Sequence, residues 1–225
     1  MTAIFVTATG TDVGKTFVTT GLIRHLRAQG RKVDAIKPVV SGFDPDHAAA
    51  ADPGVLLRAL GRPVELAEIA RMSPWRFRAP LAPDLAAARE DRSVEFNKLI
   101  EFSRQSIAAA SDTLFIEGVG GIMVPLDDRH TVLDWMTVLR IPALLVTGSY
   151  LGTISHTLTA LHVLAQRNVE VSAIVVSETS GSSVTLPDTI TTIARFAVPI
   201  EVIGIPRVPH PDLADPAFRQ LATLL

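Results

Sequence analysis

The chain has 225 residues, 48% of them hydrophobic and 20% charged, which is enough apolar material for one core and enough charge for a solvated surface. Its formal net charge is -2 and its lysines and arginines are scattered, which argues against a nucleic-acid partner; the absence of cysteine excludes disulfides, thiolate metal sites and cysteine nucleophiles. With no secretory leader and no run of about 18 apolar residues, a cytoplasmic protein with no membrane partner, folded as a single domain over residues 1–225, is expected.

Short β-branched or apolar runs at residues 3–7, 33–36, 113–116, 143–146, 171–176 and 200–203 read as strands. Helical periodicity fills residues 16–29, 94–110, 131–139, 153–166 and 185–196, with Gly30 where a helix C-cap belongs. This alternation predicts an α/β fold of three layers, a mostly parallel central sheet flanked by helices, with ligands at the C-terminal ends of the strands. Residues 41–83 break the pattern, offering one short helix at 54–60. A stretch that long between sheet elements is expected to shape or cover the site.

The first predicted strand runs into a small-residue turn and a helix start, Gly10-x-x-x-Gly14-Lys15-Thr16. A phosphate-binding loop belongs at that junction. Free backbone N–H groups there cradle phosphate oxygens, Lys15 reaches the β and γ phosphates, and the Thr16 hydroxyl is suited to Mg²⁺. The standard spacing wants a glycine five positions before Gly14, where this sequence has Thr9 with Gly10 beside it.

Lys37 closes the second predicted strand, where its ammonium either faces the site or reaches for solvent. Glu117 ends the third, ahead of Gly118-Val119-Gly120-Gly121, a position from which P-loop enzymes offer a carboxylate to Mg²⁺. Glycines there let the backbone approach phosphate. Leu151-Gly152-Thr153-Ile154-Ser155 starts a helix, whose N-terminus suits a carboxylate.

Thr11-Asp12-Val13-Gly14-Lys15-Thr16, Lys37-Pro38-Val39-Val40-Ser41-Gly42, Glu117 to Gly121 and Tyr150 to His156 together resemble dethiobiotin synthetase. Pro74, Phe77, Pro80 and Pro83, then Pro125-Leu126 and Asp134-Trp135, extend the resemblance from residue 3 to about residue 176. It implies a P-loop NTPase-like ligase that uses ATP and Mg²⁺ to close 7,8-diaminononanoate and CO₂ into a cyclic urea, through a carbamate and its phosphoric anhydride. No enzyme nucleophile is needed, because the work is positioning and charge stabilisation.

The resemblance also implies roles for residues. Lys37 and Lys15 would be catalytic, Lys37 stabilising the carbamate and the transferring phosphoryl group. Asp12, Val13, Gly14, Lys15, Thr16 and Phe17 would hold the nucleotide, with Gly118, Val119 and Gly120 beside it. Thr16, Glu117 and Asp52 would serve Mg²⁺, with Asp44 and Asp46 as rivals to Asp52, which could instead cap the helix starting before Pro53. Thr11 and Ser41 would meet the carbamate or the diamine. Leu151, Gly152, Thr153 and Ser155 would take the substrate carboxylate from a neighbouring subunit, implying a homodimer with the site at its interface. His156 is expected to pack structurally.

Ser177-Glu178 and Pro206-Arg207-Val208 would meet the base. The family has an Asn-Asp pair in place of Ser177-Glu178, and a serine hydroxyl lacks the paired donor and acceptor of an amide, so weak base discrimination is expected. Two rival readings are a cobyrinate-type amidotransferase, which needs a glutaminase domain with a cysteine nucleophile, and a partitioning or division-site ATPase, which carries an extra lysine where this sequence has Gly10.

Overall fold

The central strands are continuous apolar runs, the pattern of strands covered on both faces. A computed structural model describes residues 1–207 and 216–225. In it β1 (Thr2–Ala8), β2 (Val33–Ile36), β5 (Thr113–Glu117), β6 (Ala143–Gly148), β7 (Val171–Ser177) and β8 (Glu201–Ile205) form one sheet in the order β2-β5-β1-β6-β7-β8. Every pairing is parallel.

Alternate residues of each strand serve opposite layers. Ile4, Val6, Phe115, Leu144 and Val175 share a core with α1 (Lys15–Ala28), α2 (Asp52–Ala59), α3 (Leu66–Met72) and α9 (Pro216–Ala222). Phe5, Leu114, Ile116, Leu145 and Ile174 share the other with α4 (Pro83–Ala88), α5 (Phe96–Ala109), α6 (Val132–Leu139), α7 (Thr153–Gln166) and α8 (Leu186–Ala197). The Asp134-Trp135 pair is structural: Trp135 is fully buried, edge-on to Phe5 at 4.7 Å, while Asp134 and Thr131 form the capping box of α6.

From β1 the chain crosses to β2 at the sheet edge, returns through β5 into the gap beside β1, and then builds β6, β7 and β8 outward on the other side, so β1 lies at the switch point where the loops diverge and leave a crevice. The segment after Ser41 is more ordered than the expected single helix at residues 54–60. It holds β3 (Val39–Ser41) paired in parallel with β4 (Trp75–Phe77), a 3-10 turn at Pro45–His47, and α2, α3 and α4. Strands of 3 residues and helices of 6 or 7 are too short to show a period in sequence. Helix α5 starts at Phe96, not Val94, because Val94 is spent in the core ahead of it.

Gly21 of α1 faces the ring of Phe218 in α9, and a Cβ there would stand 2.0 Å from Phe218 Cζ. Alanine normally gains about 1 kcal/mol over glycine inside a helix, but overpacking at such contact costs ~1–3 kcal/mol. Gly21→Ala is therefore expected to lower Tm in calorimetry, and the same change in a Phe218→Leu background to cost less.

Candidate active site

Between β1 and α1 the chain turns through two left-handed residues, Asp12 at φ 56° and Gly14 at φ 101°. Gly14 caps α1 without a side-chain partner, leaving the first N–H groups of the helix aimed at the crevice, with the positive end of its dipole. A side chain at Gly14 is excluded twice, by the backbone angle and by Ser177 Oγ, which would lie 2.7 Å from a Cβ. The glycines after β5 pack against the loop itself: a Cβ at Gly121 would meet Thr9 O at 3.1 Å, and Ile122 N–H donates to Ala8 O at 3.1 Å.

Lys15 Nζ bends back over the loop, donating to Gly10 O at 3.0 Å and Gly120 O at 2.8 Å. Burial, and then the neighbouring Lys37 charge, push its pKa down to about 8, against the pull of Glu117, Asp52 and Asp12. Lys37, at the end of β2, is buried with Nζ 2.6 Å from Glu117 Oε1 and 2.9 Å from Asp52 Oδ2. Burial opposes its charge, but Glu117 and Asp52 outweigh burial and hold its pKa above the ordinary lysine value. Glu117 is fully buried and also accepts from Thr16 Oγ1 at 2.7 Å.

The three candidate aspartates separate clearly. Asp44 is exposed, caps the 3-10 turn and pairs with His47, and Asp46 is exposed outside the cleft. Asp52 turns into the cleft, and makes no capping bond for α2. Burial raises its pKa, but the charge of Lys37 and the hydrogen bond it donates more than offset this and hold it below the usual carboxylate value.

The cleft has a volume of about 710 Å³. It brings together Thr11, Asp12, Gly14, Lys15, Thr16, Phe17, Lys37, Ser41, Asp52, Val119 and Gly120, with Pro80 to Pro83 of the 41–83 segment as one wall. Ser41 Oγ is buried in that lining without a hydrogen-bond partner, a group that calls for a ligand. A smaller cavity of about 300 Å³ shares Asp12, Gly14 and Phe17 with the cleft, and adds Val13, Ser177, Glu178, Thr179, Ser180 and Arg207. Arg207 N–H donates to Glu178 Oε2 at 2.8 Å, Pro206 precedes it, and Val208 lies outside the described residues.

Leu151, Gly152, Thr153 and Ser155 line neither cavity. The Thr153 side chain is turned inward, donating to Gly148 O at 2.7 Å, while Leu151 is 82% exposed. His156 is exposed and bonded to Tyr150 Oη at 2.9 Å instead of packing in a core. Sequence reasoning missed Thr19, whose hydroxyl reaches Glu117, although Thr16-x-x-Thr19 at helical spacing places both hydroxyls on one face of α1.

A family model described as an AAA domain matches residues 2–216. The ATP-dependent dethiobiotin synthetase of Methylobacterium nodulans is 50% identical over 204 residues, 88% of this chain and 90% of that protein. That of Phenylobacterium zucineum is 44% identical over 99% of this chain and 96% of its own, so the likeness reaches well past residue 176. Among solved structures, the cell-division ATPase MinD of Pyrococcus furiosus superposes with a TM-score of 0.58 at 18% identity, covering 100% of this chain and 98% of that one. At that identity it shows the P-loop NTPase fold alone.

Proposed function

The chain belongs to the ATP-dependent dethiobiotin synthetase family, and from that premise we infer how its cleft performs the family's reaction. The enzyme is an ATP-dependent ligase of biotin biosynthesis, forming dethiobiotin, ADP and phosphate from 7,8-diaminononanoate, CO₂ and ATP. The observation that carries the site assignment is the buried Lys37 ammonium, held between Glu117 and Asp52 in the same cleft as the phosphate loop.

The loop N–H groups and Lys15 hold the ATP phosphates, with Asp12, Val13, Phe17 and the Gly118 to Gly120 turn around the nucleotide. Thr11 and the unpartnered Ser41 hydroxyl meet the carbamate formed when an amine of the substrate adds to CO₂. Lys37 lies where it can neutralise the carbamate oxygen as it attacks the γ-phosphorus, and the second amine then closes the ring and releases phosphate. Thr16, Asp52 and Glu117 form an all-oxygen donor set with two carboxylates, which fits Mg²⁺ completed by phosphate and water. When bound, Mg²⁺ supplies charge neutralisation at the β and γ phosphates.

The α7 N-terminus lies outside its own chain's cleft, which supports a homodimer in which Gly152 and Ser155 serve the partner's substrate carboxylate. A cytoplasmic setting fits the composition. No helix among the described residues is long and apolar enough to cross a membrane. At the base, Ser177 and Glu178 offer no amide edge, so ATP is expected to exceed CTP and GTP in kcat/KM by less than about a hundredfold. A preference of several orders of magnitude would refute that assignment.

Phosphate beside Lys15 favours its charged form, so its pKa of about 8 rises on nucleotide binding. Near pH 9 most of the free enzyme's Lys15 is neutral, and binding of ADP takes up close to one proton; near pH 7 it takes up almost none. Calorimetry in buffers of different ionisation enthalpy reads this directly, and buffer-independent heats near pH 9 would contradict it. The catalytic reading is tested by the cofactor requirements of hydrolysis. ATP turnover should need both the diamine and bicarbonate, and turnover stimulated by DNA or lipid instead would overturn it.

A further inference from the structure

Thr19 has no role in the reaction as described, yet its side chain is fully buried and its Oγ1 lies 2.8 Å from Glu117 Oε2. A carboxylate only accepts, and the two oxygens of Glu117 are engaged differently. Oε1 receives Thr16 Oγ1 at 2.7 Å and Lys37 Nζ at 2.6 Å, both from the cleft side. Among the described residues Thr19 is the one side chain donating to Oε2. The Thr19 hydroxyl also lies 2.9 Å from Lys15 O, the back-bond common in helices. It has one proton, and the charged carboxylate is the stronger acceptor. Helix α1 therefore grips both oxygens of Glu117, through Thr16 and Thr19.

We propose that Thr19 is a positioning residue that locks Oε2 of Glu117 away from the cleft, so that Glu117 presents a single oxygen to a bound cation. The proposal rests on the reading that Thr16, Asp52 and Glu117 hold Mg²⁺. Mg²⁺ demands near-octahedral geometry with few carboxylate oxygens, whereas Ca²⁺ accepts bidentate carboxylates and up to eight ligands. A carboxylate held with one oxygen turned away suits the smaller ion. Without the Thr19 hydroxyl, the soft terminal torsion of Glu117 lets it turn and offer both oxygens. Thr19 thus carries part of the discrimination against Ca²⁺.

The test compares Thr19→Val with Thr19→Ser. Mn²⁺ binding to the enzyme·ADP complex is followed by electron paramagnetic resonance, with Mg²⁺ and Ca²⁺ as competitors. In Thr19→Val, Mn²⁺ and Mg²⁺ should bind about 10- to 100-fold more weakly, the usual effect of losing a ligand's supporting hydrogen bond. Ca²⁺ should lose less, and Thr19→Ser should behave as wild type. ADP affinity in chelator should stay unchanged in both. A folded Thr19→Val with wild-type Mn²⁺ affinity and wild-type Mg²⁺/Ca²⁺ ratio would overturn the proposal while leaving the Mg²⁺ reading intact. If the wild type binds ADP with no dependence on metal, the Mg²⁺ reading fails and the proposal with it. Should Thr19→Val not fold, Thr19→Ala replaces it in the same titration, where weakened Mn²⁺ and Mg²⁺ binding supports the proposal and wild-type binding overturns it.

Discussion

Lys37→Gln is expected to lower kcat by about a thousandfold or more, with ADP affinity held near wild type by Lys15 and the loop. Removing one preorganised donor from an anionic transition state costs 10²–10³ in rate, and here a full charge leaves with it. Glutamine keeps an N–H donor, one bond shorter, but cannot neutralise the carbamate and the phosphoryl group. The change also strips the cation from between Glu117 and Asp52, and breaking a buried pair costs about 3–5 kcal/mol. A drop in Tm therefore accompanies the loss of turnover, and assays well below the new Tm separate the two. The raised pKa of Lys37 sets the pH dependence of that drop. Its stabilisation is fully present below the unfolded lysine value of 10.5 and fades only as pH rises through the higher folded value, so the Tm gap should be flat from about pH 6 to about pH 7, below the range in which Lys15 titrates. Unchanged turnover in Lys37→Gln would remove Lys37 from the mechanism.

Glu117→Gln isolates charge from shape. The amide can still accept from Thr16 and Lys37 through its carbonyl and donate its NH₂ to Thr19 Oγ, so every hydrogen-bond position keeps a partner. The negative charge is lost. Turnover at low Mg²⁺ should fall about 10²–10³-fold, with part of it recovered by raising Mg²⁺, because a weakened cation site is filled by mass action. Asp52 is left as the one carboxylate facing Lys37, and Tm should fall as well. A variant with wild-type Mg²⁺ dependence would show that Glu117 serves only to hold Lys37.

The sheet was legible because β1, β5, β6 and β7 are buried on both faces, which writes unbroken apolar runs into the sequence. The phosphate loop was legible because its glycine, lysine and threonine have fixed jobs at a strand-to-helix turn. Other parts were invisible for physical reasons. The pairing of β3 with β4 joins residues 36 positions apart through strands with no room for alternation. That Asp52 enters the cleft while Asp44 and Asp46 stay outside it depends on the direction in which α2 turns its first residue, and composition does not encode direction. Thr19 reads as one more threonine in a helix until Glu117 is brought against it from a strand 98 positions away. The contact of Ser177 with Gly14 joins the ends of β7 and the phosphate loop in the same way.

The central claim is that this cleft phosphorylates a carbamate, and oxygen transfer tests it most directly. With 7,8-diaminononanoate, Mg·ATP and [¹⁸O]bicarbonate supplied in a rapid reaction, a carbamate oxygen attacks the γ-phosphorus and leaves with it when the ring closes. Mass spectrometry of the released phosphate should show one ¹⁸O for each dethiobiotin formed. Dethiobiotin accompanied by unlabelled phosphate, or ATP consumed with no ring closure, would contradict the account.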